Sequence, residues 1–186
     1  MDLIFAIRNR RAVRDFAPEA VSRAAIADAI GAATMAPSAM NLQPWLFAVV
    51  EGAERLRELS TRAKAHLLAT LDPASPAARH RDHLTDPAMN LFHDAPALVI
   101  VCARDGAAQS AQDCCLAAQN LMLRAFDLQL GTCWVGFARP YLDLPDSKAA
   151  LGLPRHGAVV APLALGHPRR QPPATSRHAP EIVWPT

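Results

Sequence analysis

This 186-residue chain has little of what most catalytic signatures are made from. It holds no G-x-S-x-G elbow, no H-E-x-x-H pair and no glycine-rich loop of dinucleotide or P-loop type. No hydrolytic triad or carboxylate pair stands out. Lysine is nearly absent: Lys64 and Lys148 stand alone, and the rest of the positive side-chain charge is arginine, whose planar fork suits phosphate and carboxylate. The formal net charge is only +2 and the arginines are scattered, which argues against a nucleic-acid surface. The longest apolar stretches, 95–103 and 158–165, fall far short of a membrane span, and the N-terminus starts with an acid before a short apolar run, unlike a signal peptide. Cys102, Cys114, Cys115 and Cys133 form no C-x-x-C pair and read as buried, inert thiols of a reducing compartment. The expectation is a soluble, cytoplasmic protein.

What is present is a globular composition, 51% hydrophobic and 19% charged, without repeats or low-complexity tracts. Its length suits one domain over residues 1–186. Asp2 is placed to cap a short helix carrying Leu3, Ile4 and Ile7 and ending in Arg8-Asn9-Arg10-Arg11. Ser22 caps a second helix, with Val21 and Ile26 as a hydrophobic staple and Pro37 as its stop. Residues 46–50 read as a strand and 53–71 as an amphipathic helix. The stretch 72–86, with Pro73, Pro76 and Arg-His pairs, has no clear period and reads as a surface excursion or lid. Residues 98–103 form a continuous apolar run expected as a buried central strand. Over 110–130, Cys114, Ala117, Ala118, Leu121, Met122, Ala125 and Leu128 share one helical face, with Gly131 as the expected C-terminal stop. Strands are expected at 132–137 and 158–165, with a short helix at 145–151 between them. The tail, 168–186, is Pro- and Arg-rich until Ile182-Val183-Trp184, which reads as a final strand able to cross to a second subunit. The sum is an α+β, mixed α/β layered fold.

Three features carry candidate chemistry. His80 and His83, with His93 nearby, suggest a metal, but the spacing is loose and no Cys or carboxylate completes a ligand set; surface histidines on a lid are the better reading. Arg10-Arg11-Ala12-Val13-Arg14 is either a solvated helix-end complement or an anion site. Ala36-Pro37-Ser38-Ala39-Met40-Asn41-Leu42-Gln43-Pro44-Trp45 brackets Ser, Asn and Gln between prolines, either as a rigid connection or as a ligand loop.

Taken in order, these two segments resemble the paired signature of the nitroreductase family. Ala95-Pro96, Gln119-Asn120-Leu121, Gly131-Thr132-Cys133-Trp134-Val135-Gly136-Phe137 and Ala164-Leu165-Gly166-His167-Pro168 add to the resemblance, which runs from about residue 2 to 184. It implies a central, mainly antiparallel mixed sheet of four or five strands flanked by helices, in a homodimer with an exchanged C-terminal arm and FMN at the subunit interface. Carried over, Arg10 and Arg11 lie near the flavin phosphate and Ala12 near the ribityl chain. Arg14 falls beside flavin N1 and the C2 carbonyl, where reduction places negative charge. Pro37, Ser38, Ala39, Met40 and Asn41 reach the flavin from the partner, Trp134, Val135 and Gly136 approach N5, and Arg177 returns to the phosphate. Ala12 stands where the family often has Ser, and Thr175 where some relatives carry a cation.

The activity implied is hydride transfer from NADH or NADPH through FMN to a nitroaromatic, quinone, activated alkene or free flavin. The chemistry is carried by FMN, so no catalytic side chain and no metal is assigned. Two alternatives stay open: a specialised reductive dehalogenase or flavin-cleaving enzyme of the same fold, and a non-catalytic flavin sensor or store.

Overall fold

Asp2 starts the first helix, α1 (Leu3–Asn9), its carboxylate accepting a hydrogen bond from Phe5 N at 2.9 Å. Ser22 does the same for α2 (Arg23–Ala33), accepting from Ala25 N at 3.2 Å, while Val21 and Ile26 are both buried, as a staple requires. Then follow β1 (Trp45–Glu51), α3 (Ala53–Thr70), α4 (Arg81–Thr85), β2 (Ala97–Ala103), α5 (Ala108–Asp127), β3 (Gly131–Trp134), α6 (Arg139–Leu142), α7 (Pro145–Ala150) and β4 (Ala158–Gly166). The computed structural model describes residues 1–185; Thr186, the end of the expected arm, lies outside the described residues.

The four strands form one antiparallel sheet in the order β1-β2-β4-β3. Every residue of β2 is buried, because helices cover both faces of the sheet and the strand therefore has no polar side. Val99 and Val101 pack with Ile26 of α2 and with Ala117, Leu121 and Ala125 of α5. Leu98 and Ile100 point the other way, into a second cluster with Leu56, Ala63 and Leu67 of α3 and with Leu91 and Phe92. The result is a three-layer α/β/α arrangement around an almost wholly apolar sheet.

The structure differs from the sequence reading at several points. The strand expected at 132–137 ends at Trp134, and Gly136–Ala138 is a single 3-10 turn. Val135 N still donates to Pro162 O at 2.8 Å, but Pro162 has no N–H to return, so the β3–β4 ladder stops there. Helix α5 is closed by Gln129, which takes a left-handed conformation (φ 61°), rather than by Gly131. The aperiodic 72–86 stretch contains a 3-10 turn (Pro76–His80) and α4, held down by the buried Leu84. Cys115 is exposed, unlike the other three cysteines. Ile182-Val183-Trp184 is not a strand: these side chains are 62%, 84% and 82% exposed, and within the described chain no strand pairs with them. A strand needs a neighbouring edge to satisfy its backbone, and among the described residues this triplet pairs with none.

Among the described residues, no helix is long and apolar enough to cross a membrane.

Candidate functional site

After α1 the chain turns along the outer edge of β3. Ala12 forms a parallel bridge with Thr132, and Val13 N donates to Thr132 O at 2.9 Å. Phe16 bridges Pro168, and Ala17 N donates to His167 O at 2.8 Å. The 10–17 segment is thereby laid as a fifth, irregular edge beside β3, with Arg10 and Arg14 near Cys133 and Arg14 lining a cavity with Trp134.

Electrostatically this edge is unbalanced. Arg10, Arg11, Arg14 and Arg177 take part in none of the ion pairs among the described residues. The Arg10 guanidinium is held below its ordinary range by burial first, then by the neighbouring charges of Arg11 and Arg177. Three cations thus converge, two from the 10–11 step and one from the tail, which is tied back where Gln171 Nε2 donates to Asn9 O at 3.2 Å. Two buried side-chain polar atoms lack a hydrogen-bond partner among the described residues, Arg11 Nε and Thr132 Oγ1, and they flank the Ala12 bridge. Converging cations without acidic partners beside orphaned polar atoms suit an anionic, hydroxyl-bearing group.

Next to this edge lies a cavity of about 530 Å³, of a size that suits a cofactor or small substrate. Arg14, Cys133, Trp134, Val135 and Gly136 form one side; His80, His83, Met89, Leu91, His93 and Phe137 form the rest. An adjoining hollow of about 300 Å³ continues past Arg14 to Asp15, Asp94 and Arg169. Burial pushes the Cys133 thiol up, against the opposing pull of Arg14 and Arg10. His93 is held down, by burial first and then by Arg14 and His83, and stands in a left-handed conformation (φ 56°). Of the excursion, His80 meets the Phe137 ring edge-on at 5.5 Å.

Arg10, Arg11, Ala12, Arg14, Trp134, Val135, Gly136 and Arg177 therefore share one corner of the fold. Pro37, Ser38, Ala39, Met40 and Asn41 do not. Their loop precedes Trp45, which pairs with Ala103 at the far end of the opposite edge strand, whereas Thr132 is in register with Leu165, Ala97 and Glu51. Standard sheet spacings put the two segments roughly 25 Å apart. The loop is nonetheless rigidly built. Asp113, buried in α5, accepts from Ala39 N at 3.2 Å, and Ser38 Oγ accepts from Gln43 N at 3.0 Å. Met40, Asn41 and Gln43 all take positive φ (49°, 56° and 47°), a strained choice for residues with side chains. Met40 and Leu42 are 88% and 62% exposed, so this loop presents apolar side chains outward.

Sequence reasoning left out Met89, Leu91, His93, Cys133 and Phe137 as lining residues. Phe137 and Cys133 were legible in the Gly131–Phe137 segment. His93 depends on a left-handed turn that nothing local announces. Among the described residues, no three His, Cys, Asp or Glu side chains gather as ligands for a metal ion.

Comparison with known proteins decides the lineage. The sequence profile of the nitroreductase family matches residues 7–167. The chain belongs to the nitroreductase family. It is 29% identical over 182 residues to a NADH dehydrogenase of Thermus thermophilus, covering 92% of this chain and 89% of that protein. A nitrobenzene nitroreductase of Ectopseudomonas oleovorans is 30% identical over 193 residues, covering 86% of this chain and 84% of that protein. Among solved structures, a nitroreductase with bound FMN from Bacteroides fragilis superposes with a TM-score of 0.82 at 25% identity, over 99% of this chain and all of that one. These neighbours share the nitroreductase fold described above.

Proposed function

We propose that this nitroreductase-family chain is an FMN-dependent oxidoreductase that takes hydride from NADH or NADPH and passes it to a small acceptor. The observation that carries the reading is the convergence of Arg10, Arg11 and Arg177, free of acidic partners, on the same edge of the fold as the cavity that Arg14 lines. That arrangement fits FMN: one end takes a dianionic phosphate, and the middle takes the edge of a ring that gains negative charge on reduction. The buried Arg11 Nε and Thr132 Oγ1 beside the groove favour a polar, hydroxylated chain between the two.

When bound, FMN supplies the two-electron carrier, accepting hydride from the nicotinamide and releasing it to the acceptor. The chain's own residues then have three tasks. Arg10, Arg11 and Arg177 hold the phosphate. Arg14, which lines the cavity with Cys133 and His93, stabilises charge at the pyrimidine edge. Trp134, Val135 and Gly136 form the wall beside the ring, while His80, Met89 and Phe137 narrow the cavity and limit water. The overall reaction balances without any protein nucleophile: a nitro group takes two electrons and two protons to become nitroso plus water, as one nicotinamide is oxidised. A quinone takes the same two electrons and two protons.

The reading includes a homodimer. A ligand held at Arg14 is out of reach of Pro37–Asn41 of its own chain, so both segments serve one flavin only if two copies share it. The exposed apolar side chains of α1 (Leu3, Ile4, Phe5, Ile7), with Met35, Met40 and Leu42, supply the kind of surface such an interface covers. The exposed Ile182-Val183-Trp184 triplet suits an arm that completes its pairing on the second copy.

The test is reconstitution with FMN followed by anaerobic NADH or NADPH. The expected result is a yellow protein that bleaches and regains colour with a nitroaromatic or quinone. Bound flavin that never bleaches supports a sensor or store instead, and a protein that stays colourless overturns the cofactor assignment.

A further inference from the structure

The loop between α2 and β1 is fixed at both ends and at one point in its middle. At its entry Ala36 N donates to Ala33 O at 3.1 Å, and at its exit Pro44 O accepts from Arg104 N at 2.9 Å. In between, Ala39 N donating to Asp113 is the one hydrogen bond from residues 37–43 to the rest of the fold among the described residues. The other bonds are internal: Asn41 N to Ser38 O, Leu42 N to Ala39 O and Gln43 N to Ser38 Oγ, each at 3.0 Å, and Gln43 Nε2 to Asn41 Oδ1. These close the loop on itself without fixing where it sits on the protein.

Asp113 is an uncommon anchor. It lies buried in α5, 4% exposed, and takes part in none of the ion pairs among the described residues. Its two oxygens are used separately: Oδ2 accepts from Ala39 N at 3.2 Å, and Oδ1 accepts from Gln109 Nε2, one helical turn earlier, at 3.3 Å. A buried carboxylate costs folding free energy unless its hydrogen bonds are made, so this one favours the loop position that delivers Ala39 N. The loop needs such a hold. Met40, Asn41 and Gln43 all take positive φ, and strain of that kind persists only where the surroundings enforce it. Met40 and Leu42, close to Ala39 in the chain, are exposed, so nothing apolar pins the loop in place of this bond.

We propose that Asp113 is a positioning residue that acts across the dimer: through Ala39 N it sets the 38–41 loop of its own chain against a flavin whose Arg14 belongs to the other copy. This rests on the flavin and homodimer reading, which brings that loop and Arg14 to one cofactor from two chains. The consequence is directional. Loss of Asp113 damages the site that its own chain's loop enters and spares the site that its own chain's Arg14 lines. A residue that only stabilised its own chain's fold would damage both sites alike.

The test uses full-length chains refolded together with FMN and assayed near the wild-type Kd for FMN. Asp113→Ala should bind FMN on the order of tenfold more weakly, and Asp113→Asn, which keeps an acceptor for Ala39 N, should recover most of that loss. Refolded with Arg14→Ala chains, Asp113→Ala chains should regain roughly a quarter of wild-type NAD(P)H-dependent reduction of a nitroaromatic, since one site of each mixed dimer carries neither lesion. Refolded with Ser38→Pro/Asn41→Ala chains they should regain nothing, because every site then meets a damaged loop. Ala39→Pro removes the donor instead of the acceptor, after an extended Ser38 that suits a following proline, and should reproduce both patterns. That variant decides the matter even if Asp113→Ala fails to fold. Unchanged FMN affinity, or recovery with the loop variant instead of with Arg14→Ala, overturns the proposal. So does failure to recover with Arg14→Ala while Arg14→Ala and Ser38→Pro/Asn41→Ala chains restore one another. If that last pair shows no recovery, the shared-site reading falls as well, and a wild-type protein that takes up no flavin overturns the cofactor reading with it.

Discussion

Gly131 faces Val13 so closely that a Cβ on Gly131 would lie 2.6 Å from Val13 Cγ2 and 2.8 Å from its Cβ. This contact sets how near the arginine segment can lie to β3, so a small residue at 131 is part of the proposed cofactor site. Gly131→Ala should destabilise the protein by about 1–3 kcal/mol through overpacking and weaken FMN retention. Val13→Ala should partly suppress both effects, giving a double variant less damaged than the sum of the two singles. Urea unfolding and flavin titration of the four proteins check this; strictly additive costs would show that the two residues do not press on one another.

The phosphate end gives a chemically selective prediction. Arg10→Ala should lower affinity for FMN on the order of 10- to 100-fold and leave riboflavin, which lacks the phosphate, nearly untouched. Raising ionic strength should weaken FMN in the wild type more than in the variant. Ala12→Ser adds a hydroxyl beside the unpartnered Thr132 Oγ1 and should tighten both flavins alike. Fluorescence quenching of free flavin measures all of these.

In the proposed mechanism Arg14 acts on the reduced state. Arg14→Ala should make the bound flavin harder to reduce, lowering its potential and slowing the first half-reaction, while Arg14→Lys should recover part of both. Spectroelectrochemistry and anaerobic stopped-flow measure the two quantities. An unchanged potential and rate would remove Arg14 from its assigned place.

His93 links the site to pH. Its folded-state pKa lies below the ordinary value, through burial and the charges of Arg14 and His83. As pH falls through about 6.5, the unfolded chain takes up this proton before the folded chain does. The contribution of neutral His93 is therefore present above that pH and is lost below it. Asn also tolerates the left-handed backbone at this position (φ 56°). The flavin-free wild type should lose stability relative to His93→Asn between pH 8 and pH 5, read from urea midpoints. A difference that stays flat or runs the other way would contradict the assignment.

The fold was legible wherever local chemistry and burial agree. Ser22 with Val21 and Ile26 marks α2, the apolar face from Cys114 to Ala125 marks α5, and the unbroken run in β2 announces a strand covered on both sides. The order β1-β2-β4-β3 was not legible, because strand neighbours are chosen by helix packing and not by strand composition. Pro162 cut β3 short through an N–H missing from the opposite strand, which no reading of residues 132–137 alone reveals. The candidate site was legible in part: the arginines and the Trp134–Gly136 turn stand in contiguous segments with their own signatures. Met89 and Leu91 are held at the cavity from α3, where buried Lys64 donates to Asp86 O at 2.9 Å and to Met89 O and Ser60 Oγ accepts from Leu91 N at 2.8 Å. These are long-range bonds with no local trace. The Pro37–Asn41 loop was legible as rigid, but its distance from Arg14 required the sheet register.

The central claim is a redox site built from Arg14 of one copy and the 37–41 loop of another. Mixing two strongly impaired variants tests it most directly: Arg14→Ala in one chain and Ser38→Pro/Asn41→Ala in the other, unfolded together and refolded with FMN. In a mixed dimer one site carries both lesions and the other carries neither, so NAD(P)H-dependent reduction of a nitroaromatic should return to roughly a quarter of wild-type activity under random pairing. Activity that stays at the level of the separate variants, with flavin-loaded mixed dimers present, would contradict a shared site.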